Sequence, residues 1–598
     1  MNQVDLISPQ QAKTLAGLFA ERVARTPEQL AYRYYREATK NWESCNWAEG
    51  SERASLWQQA MQADGLQPGD RVAVMLKNCL EWVLFDLAAA GLGLVTVPLY
   101  VNDRPENFTY ILQSTQAKLL LTDGVEQWQR IEKVGDKLDG VKRIVTLQTV
   151  CVGECDPRLR QLDDWLPKKD NQQYQLLASE ADSLATIVFT SGTTGPPKGV
   201  MLSHSNILSN AAAGLKRVVV EREDQFLSFL PLSHMFERTA GYYIPIMAGA
   251  CVAFVRSIDL LAEDLLEIRP TILITVPRIF ERIYNKMTLK LADESWLARK
   301  IFQLAVFSGW YHFQYHRRQK PWAIQLLIWP LLKRLVGKKL EKRLGGRLRL
   351  AVSGGAPLSP PIAQTFIGLG LTILQGYGLT ETSPVIAVNT IEDNHPLSVG
   401  KPLPGVVVKI GEEQELLVRG PNVMLGYWQR EDSIVDANGW LHTGDQAHID
   451  KQGHIHIIGR IKEIIVLSSG EKVPPEDLQL AIATDPLFEQ VLVVGENRPY
   501  LTAVVVLNPS QWRLLARGLA FDPTVKMLMN SPQVTKILLE KIAYRLKEFP
   551  GYARIHQVYA TDKAWDIDSG LITATLKVRR QPILDQYADQ IEEMYRGH

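Results

Sequence analysis

Short apolar runs alternate with helix-like stretches over the first 400 residues. Continuous apolar runs occupy 71–75, 184–189, 272–277 and 348–352, and Gly, Pro or polar residues bound them, whereas residues 81–91 form a longer apolar stretch beside the first run. Short continuous runs are typical of buried strands, and their alternation with helices predicts an open α/β sheet. Ligands of such sheets bind beyond the carboxyl ends of the strands, so a site is expected in the loops that follow these runs.

From about residue 400 the pattern changes to short β segments broken by glycines, as in a small barrel or meander. These segments are 406–410, 415–419 and 454–458. After about residue 460 come charged strand–turn–helix elements, at 464–467, 474–483 and 491–494, which are too few to enclose a site alone. We predict an N-terminal domain of α/β subdomains over residues 1–459, β-rich from about 400, and a small α+β C-terminal domain over 460–598.

Composition and charge narrow the class of protein. A chain of 598 residues exceeds the limit of about 250–300 residues for one core, and 46% apolar with 22% charged residues is ordinary for a globular protein. A net charge of +1 argues against a nucleic-acid partner. The N-terminus lacks the regions of a signal peptide, and no run of 18 apolar residues occurs, so we expect a cytoplasmic protein.

The five cysteines indicate reduced thiols rather than a disulfide framework, because they are few and unevenly placed. They are Cys45, Cys79, Cys151, Cys155 and Cys251. No second Cys/His pair at ligand spacing accompanies Cys151 and Cys155, so we predict no metal site there.

A glycine-rich loop at 190–199 carries the strongest chemical signal. It reads Thr-Ser-Gly-Thr-Thr-Gly-Pro-Pro-Lys-Gly and follows directly on the apolar run 184–189. Glycines let backbone N–H groups turn toward one anion, hydroxyls donate to phosphate oxygens, and Lys198 supplies a positive charge. The loop is not a Walker A motif, because proline precedes Lys198 and glycine follows it. A plain strand-to-helix turn is the alternative for such a run.

Five further motifs follow in order. They are Ser-Gly-Gly-Ala-Pro-Leu at 353–358, Tyr-Gly-Leu-Thr-Glu-Thr at 377–382, Thr-Gly-Asp at 443–445, Gly-Arg-Ile-Lys-Glu at 459–463 and Gly-Leu-Ile-Thr-Ala-Thr-Leu-Lys-Val-Arg at 570–579. Over residues 15–580 this ordered series resembles the adenylate-forming (AMP-binding) superfamily, which includes acyl-CoA synthetases, luciferases and peptide-synthetase adenylation domains. Thr573, Thr575 and Arg579 around Lys577 match the long-chain fatty acyl-CoA synthetase branch.

The resemblance implies activation of a carboxylic acid by ATP with Mg²⁺. A carboxylate attacks the α-phosphate, pyrophosphate leaves, and a thiol, that of coenzyme A in this branch, then attacks the acyl adenylate and releases AMP. Because both steps concentrate negative charge, positioned cations and N–H donors should dominate catalysis. The resemblance also implies a C-terminal domain that rotates over the large one about a hinge at Lys462.

Site residues carry over position by position. The catalytic set is Lys198, His234, Glu381 and Lys577. The nucleotide-binding set is Thr190, Ser191, Gly192, Thr193, Thr194, Gly195, Lys198, Gly354, Gly355, Ala356, Tyr377, Gly378, Thr380, Thr382, Asp445, Arg460 and Lys462.

The resemblance also assigns roles within these sets. Glu381, with Thr190, would bind Mg²⁺, since that ion takes a few oxygen ligands. Tyr377 would stack on adenine, and Thr382 would reach the α-phosphate. Asp445 would accept from the ribose hydroxyls, supported by Arg460, and Lys577 would bridge the substrate carboxylate and the α-phosphate.

Two segments bear on the acid. Residues 229–238, Phe-Leu-Pro-Leu-Ser-His-Met-Phe-Glu-Arg, resemble the lining of the acyl entrance in long-chain synthetases, where His234 either gates the site or contacts the adenylate; a purely structural histidine is the alternative. The segment from Arg299 to Arg349 contains thirteen Lys/Arg residues, a single acidic residue, Glu341, and several aromatic residues. That profile indicates peripheral contact with anionic lipid on the cytoplasmic face of a membrane; a solvated helix pair or a subunit contact is the alternative.

Three functions follow. The first is a long-chain fatty acid–CoA ligase. The second is a ligase that transfers the acyl group to a carrier-protein thiol or acts on another carboxylic acid. The third is an inactive lipid- or nucleotide-binding relative, against which the joint presence of Lys198, Glu381, Asp445, Arg460 and Lys577 argues. The chain-length preference and the oligomeric state do not follow from the sequence.

Overall fold

A computed structural model describes residues 5–150, 156–168, 173–190, 197–573 and 577–596. The strands are β1 (Leu30–Arg36), β2 (Asn41–Asn46), β3 (Arg71–Met75), β4 (Val95–Pro98), β5 (Leu119–Thr122), β6 (Arg143–Thr146), β7 (Leu159–Gln161), β8 (Leu184–Thr190), β9 (Lys198–Ser203), β10 (Gln225–Ser228), β11 (Cys251–Phe254), β12 (Ile272–Thr275), β13 (Leu350–Ser353), β14 (Ile373–Gly378), β15 (Val385–Val388), β16 (Lys401–Pro402), β17 (Val407–Ile410), β18 (Glu415–Arg419), β19 (Gly426–Tyr427), β20 (Leu441–Ile449), β21 (Ile455–Arg460), β22 (Ile465–Val466), β23 (Lys472–Val473), β24 (Phe488–Val494), β25 (Leu501–Leu507) and β26 (Ile555–Thr561).

The helices are α1 (Pro9–Ala12), α2 (Leu15–Arg25), α3 (Trp47–Ala63), α4 (Leu80–Gly91), α5 (Pro105–Thr115), α6 (Val125–Glu132), α7 (Leu162–Trp165), α8 (His204–Leu215), α9 (Met235–Glu237), α10 (Ile244–Ala248), α11 (Leu261–Ile268), α12 (Pro277–Ala292), α13 (Trp296–His316), α14 (Gln325–Leu332), α15 (Lys338–Arg343), α16 (Pro360–Gly368), α17 (Pro475–Ala483), α18 (Pro509–Gly518), α19 (Pro532–Arg545), α20 (Arg580–Gln586) and α21 (Ala588–Tyr595).

Two large mixed sheets form the body of the protein. One has the strand order β16-β15-β14-β13-β12-β10-β11-β1-β2 and the other β19-β9-β8-β4-β3-β5-β6-β7. Their central strands pair in parallel and are buried, which agrees with the continuous apolar runs in the sequence. Helix α4 is apolar almost all round and fully buried, and the core it joins takes residues from both sheets. The predicted α/β class is thereby confirmed.

Beyond residue 400 the chain builds a four-stranded antiparallel sheet in the order β17-β18-β20-β21. Of the two predicted alternatives, a small barrel and a meander, this sheet is the meander. Strand β19 lies between β18 and β20 in the sequence, but it pairs with β9 at the edge of a large sheet. After β21, the strands β24-β25-β26 and helices α17 to α21 form an α+β unit with apolar clusters of its own, which begin at Ile465. The domain boundary at about residue 460 stays a prediction.

The basic, aromatic segment folds as helices α13 to α15. Sequence spacing predicts an interruption at Pro330, but α14 continues through that residue, and a widened π-helical turn at Lys333–Gly337 follows it. Proline has no backbone N–H, so one helical hydrogen bond is missing at Pro330. The wider turn a few residues later accommodates the changed hydrogen-bond pattern. Among the described helices, none combines the length and the apolar character needed to cross a membrane.

Candidate active site

The loops after β12, β13 and β14 lie at one sheet edge, because these neighbouring strands run parallel. Gly354 follows β13 directly, and a Cβ atom on it would lie 2.9 Å from the ring of Phe236. Only glycine therefore fits without displacing that ring. The close contact brings the segment that contains His234 against the second predicted nucleotide motif. Gly355 and Ala356 continue from it as exposed residues.

A tyrosine, an aspartate and an arginine form the best-ordered polar group at this edge. The hydroxyl of Tyr377 donates to Oδ2 of Asp445, and Nε of Arg460 lies 2.8 Å from Oδ1. Asp445 and Arg460 are paired across β20 and β21, so the sheet register sets their contact. Asp445 is only 3% exposed, and burial raises its pKa although Arg460 opposes the shift. Three residues predicted to bind one nucleoside thus belong to one cluster, and the carbonyl of Thr443, from the same motif as Asp445, accepts from Arg460 at 3.1 Å.

A second group joins the predicted metal ligand to the predicted phosphate lysine. Tyr427 donates to Oε1 of Glu381 at 2.9 Å, and Nζ of Lys198 lies 4.8 Å from the centre of the Tyr427 ring. Lys198 also contacts Oδ2 of the exposed Asp432 at 3.2 Å. A surface ion pair of this kind contributes little, so the lysine can exchange Asp432 for a phosphate. Lys198 and Glu381 therefore face a common space on either side of Tyr427.

The ends of the glycine-rich loop form an antiparallel pair. Thr190 closes β8 opposite Lys198, which opens β9, so the strand pairing fixes where the loop leaves and rejoins the sheet. The predictions for Ser191, Gly192, Thr193, Thr194 and Gly195 lie outside the described residues, as does that for Thr575. Cys151 and Cys155 lie outside them too.

The motif at 377–382 is held by its own backbone. A Cβ atom on Gly378 would lie 1.9 Å from the carbonyl oxygen of Pro384, so glycine is required there. Thr380 to Thr382 form a 3-10 turn, and the fully buried hydroxyl of Thr382 donates to the carbonyl of Pro384 at 2.6 Å. That hydroxyl shapes the turn in this structure, and its contact with an α-phosphate stays a prediction.

Lys577 reaches this edge from the C-terminal unit. Crowding by surrounding protein lowers its pKa, as does the positive charge of Arg460, while Glu476 and Asp445 act in the opposite direction. The residue as a whole is nonetheless exposed. Arg104 helps to seat this unit by donating to the carbonyls of Ile567 and Asp568 at 3.3 and 3.1 Å. The ammonium of Lys577 is thus within electrostatic range of Asp445 and Arg460.

His234 lies within electrostatic range of Lys577. Its Nδ1 accepts from the backbone N–H of Phe236 at 3.2 Å, which caps the short helix α9 and leaves the proton of a neutral ring on Nε2. Burial, and then the charge of Lys577, lower the pKa of His234 to about 4. The ring is therefore a neutral donor at pH 7. Lys462 is exposed in the turn Ile461–Glu463 after β21, which is where a hinge was predicted.

Sequence reasoning missed Tyr427, Asp432 and Arg104. Tyr427 stands in the two-residue strand β19, where Gly-Tyr-Trp in a polar stretch gives a weak signal at most. Its position between Lys198 and Glu381 depends on β19 crossing to another sheet, which no local pattern shows.

Two α/β sheets, a glycine-rich loop between β8 and β9, and a charged edge completed by a lysine from a C-terminal unit define an adenylate-forming ligase. The chain belongs to the AMP-binding enzyme family: residues 19–428 match that family and residues 462–598 match the AMP-binding enzyme C-terminal domain. Within the family it falls in the long-chain fatty acyl-CoA synthetase branch, as the motif around Lys577 predicted. It is an ATP-binding, AMP-forming acid–thiol ligase.

The chain is similar to curated relatives over most of its length, and its fold is similar to that of a solved structure. The chain is 30% identical over 601 residues to the long-chain-fatty-acid–CoA ligase FadD15 of Mycobacterium bovis, covering 97% of each chain. It is 27% identical to the long-chain-fatty-acid–[acyl-carrier-protein] ligase AEE15 of Arabidopsis thaliana, covering 90% of this chain and 81% of the relative. The fold is similar to that of the anthranilate CoA ligase AuaEII, solved in complex with anthranoyl-AMP. The TM-score is 0.74 at 20% identity, over 97% of this chain and 98% of that one.

Proposed function

We propose that the protein converts a long-chain fatty acid to its fatty acyl-CoA with ATP, releasing AMP and pyrophosphate. The observation that carries the proposal is the convergence of Lys577 and Arg460 on Asp445, at the edge where the loops around Gly354 and Tyr377 also lie. The 30% identity to a long-chain ligase over nearly the whole chain supports the choice of acid.

The polar groups fit ATP with a magnesium ion. Carboxylate and hydroxyl oxygens, as on Glu381 and Thr190, are the ligands that Mg²⁺ prefers, and Tyr427 orients the Glu381 carboxylate toward the side of Lys198. When bound, the ion would neutralise charge on the phosphates. Lys198 would hold the β- and γ-phosphates after it leaves Asp432, and Asp445 would accept from the ribose hydroxyls.

In the first step an oxygen of the fatty acid carboxylate bonds to the α-phosphorus, and the bond from that phosphorus to the pyrophosphate oxygen breaks. Lys577 would lie between the two anions and reduce their repulsion, since a preorganised charge in a crowded site is already oriented when the reaction begins. The charged groups that influence the pKa of Lys577, namely Arg460, Glu476 and Asp445, belong to the same edge, which supports this position for the ammonium.

In the second step a thiolate attacks the acyl carbon, and the bond from that carbon to the AMP oxygen breaks. His234 would donate from Nε2 to an oxygen of the acyl adenylate, because its ring stays neutral at pH 7 and its Nδ1 is engaged by Phe236. The thiol proton passes to solvent. We assign no residue to coenzyme A.

The acceptor thiol is the open choice within this chemistry, because a 27% identical relative is a carrier-protein ligase. The test is a panel of carboxylic acids of increasing chain length with ATP and Mg²⁺, offered either coenzyme A or a phosphopantetheinylated carrier protein, with mass spectrometry of the thioesters. We expect long-chain acyl-CoA. Acyl-carrier protein in its place would identify the second function, and no pyrophosphate release with any acid would indicate an inactive relative.

We further propose that helices α13 and α14 contact a lipid surface. Large apolar side chains on these helices and on the segment between them are exposed by half or more of their area, at Trp296, Leu297, Phe307, Trp322, Ile324, Leu327 and Leu331. Exposed lysines and arginines flank these residues at 299–300, 318–320 and 333–343. An interfacial element places apolar side chains at the boundary of the acyl chains and basic side chains against anionic headgroups. A lipid surface is also where a long-chain acid resides.

A further inference from the structure

Histidines gather at the turn of the β20–β21 hairpin, away from the nucleotide cluster. Four of the eleven histidines of the chain lie there: His395, His448, His454 and His456. His448 and His456 pair across the two strands, and the turn between them carries Asp450 and His454. The backbone of Val399 donates to Ile455 at 2.9 Å, so the loop with Asp393 and His395 packs against the same turn. The known reaction uses none of these side chains.

Three of the side chains point their ligand atoms at one spot. Oδ1 of Asp393 lies 3.0 Å from Nε2 of His454 and 3.3 Å from Nε2 of His395, and the ligand atoms of all three lie within 4.8 Å of one another. A tetrahedral ion with ligands at about 2.0–2.1 Å separates those ligands by roughly 3.3 Å. The separations of Asp393 from the two histidines are close to that value, and the shorter one is also that of a hydrogen bond.

The surroundings fix these ligands in place. Nδ1 of His454 lies 3.2 Å from Oδ2 of Asp450, whose Oδ1 accepts from the backbone N–H groups of Gln452 and His454 at 2.8 and 2.9 Å. Nζ of Lys401 holds Oδ2 of Asp393 at 2.7 Å and leaves Oδ1 to the histidines. A carboxylate on the far nitrogen of a histidine is the usual outer support of a metal ligand, because it sets the tautomer and the ring orientation.

A cation other than a proton suits this arrangement. His454 is 1% exposed, both of its ring nitrogens face carboxylates, and the His395 ring lies 3.9 Å away, centre to centre. A divalent ion between Nε2 of each neutral ring and Oδ1 of Asp393 would leave Nδ1 of His454 to Asp450. Asp393 and His395 are partly exposed, so an ion can reach the spot from solvent.

We propose that Asp393, His395 and His454 bind a divalent transition-metal ion of the Zn²⁺ class, with water as a fourth ligand and Asp450 as a positioning residue. Two imidazole nitrogens and one carboxylate suit zinc and its neighbours rather than Mg²⁺ or Ca²⁺, which take oxygen ligands. The ion would fasten the loop at 389–398 to the hairpin whose strands also carry Asp445 and Arg460. It is a structural tie, separate from the magnesium that accompanies ATP.

The test uses the untagged full-length protein after dialysis against a chelator. We expect about one equivalent of Zn²⁺ per chain by calorimetry in the presence of millimolar Mg²⁺, a thermal midpoint raised by roughly 2–4 °C or more, and a visible absorption spectrum of tetrahedral type with Co²⁺. Failure of the folded wild-type protein to bind stoichiometric Zn²⁺ would overturn the proposal and leave an ion-pair network of imidazolium and carboxylate.

Variants assign the ion to these residues. His395→Gln, which changes a partly exposed ligand, and Asp393→Asn should each weaken Zn²⁺ binding at least tenfold and remove the thermal shift, and Asp450→Asn should weaken it 10- to 100-fold. His316→Asn is the control, because His312 and His316 on α13 lie 3.0 Å apart and form an imidazole pair away from the hairpin. The proposal fails if His316→Asn abolishes binding or if His395→Gln and Asp393→Asn retain it.

Discussion

The Tyr377 hydroxyl donates to Oδ2 of Asp445, so with Arg460 on Oδ1 both oxygens of this carboxylate are engaged before a nucleotide binds. The carboxylate is thereby held in one orientation. A ribose with two adjacent hydroxyls would meet an acceptor that is already positioned, because each carboxylate oxygen has a second lone pair besides the one that accepts from Tyr377 or Arg460.

Asp445→Asn tests that carboxylate. The substitution keeps the size of the side chain and removes the charge that pairs with Arg460, and hydrogen bonds to charged groups contribute about 1.5–3 kcal/mol. We expect kcat/KM for ATP to fall about 10- to 100-fold, measured by pyrophosphate release. Tyr377→Phe is the matched control, because it keeps the ring and the Asp445–Arg460 pair, and its loss should be smaller. An unchanged kcat/KM in Asp445→Asn would contradict the ribose role.

Lys577→Ala should separate the two half-reactions. Removing one preorganised donor at a site of developing charge costs about 10²- to 10³-fold in rate, so acyl adenylate formation should slow by that factor. Thioester formation from added acyl adenylate should change much less, since pyrophosphate has already left. Lys536→Ala, at an exposed position of the same domain, is the control. Adenylate formation at the wild-type rate would refute the assignment.

Acid should destabilise the N-terminal core through His204. This residue is 2% exposed, its Nδ1 accepts from the backbone of Leu15 at 3.2 Å, and burial lowers its pKa to about 4. The unfolded chain, with a pKa of about 6.5, binds a proton that the folded protein excludes, so stability is lost as the pH falls from about 6.5 toward 4. For this histidine the loss between pH 7 and pH 5 is about 2 kcal/mol.

His204→Asn keeps an acceptor for Leu15 and cannot titrate. Its denaturation midpoint should therefore shift less than that of the wild type between pH 7 and pH 5. His316→Asn, at an exposed site, should behave like the wild type. Equal pH dependence in His204→Asn and the wild type would contradict the prediction.

Leu327→Glu with Leu331→Glu should weaken vesicle binding. Both side chains are more than 60% exposed on α14, and burying a leucine contributes about 1.5–3 kcal/mol, so the double change should reduce partition at least tenfold. Sedimentation with vesicles containing anionic lipid measures it, and neutral vesicles should bind the wild type less. Leu514→Glu changes a leucine that is 61% exposed on α18 and should have no effect. Undiminished binding by the double variant would refute lipid contact through α14.

Local patterns predicted several of the central strands, among them β8, whose apolar run ends directly before Thr190 and the glycine-rich motif. The contacts between motifs were not predictable in this way. Lys198 and Asp432 are separated by 234 residues, and they meet because β19 pairs with β9.

The cluster around His454 was missed for a similar reason. Asp393 and His395 are close in the sequence, but His454 joins them only through the packing of the 389–398 loop on the hairpin turn. Spacing rules for metal sites need pairs of ligands that are close along the chain, and one of these three ligands, His454, stands alone in the sequence. At Pro330 the error is in the other direction. The proline predicts that the helix is interrupted there, but α14 continues through it.

Arg104 links the C-terminal unit to the N-terminal one, because its charged side chain donates hydrogen bonds to the carbonyls of Ile567 and Asp568. Hydrogen bonds to charged groups contribute about 1.5–3 kcal/mol each. A rotation of the C-terminal unit, which the resemblance implies, would have to exchange both of these bonds for hydrogen bonds to water.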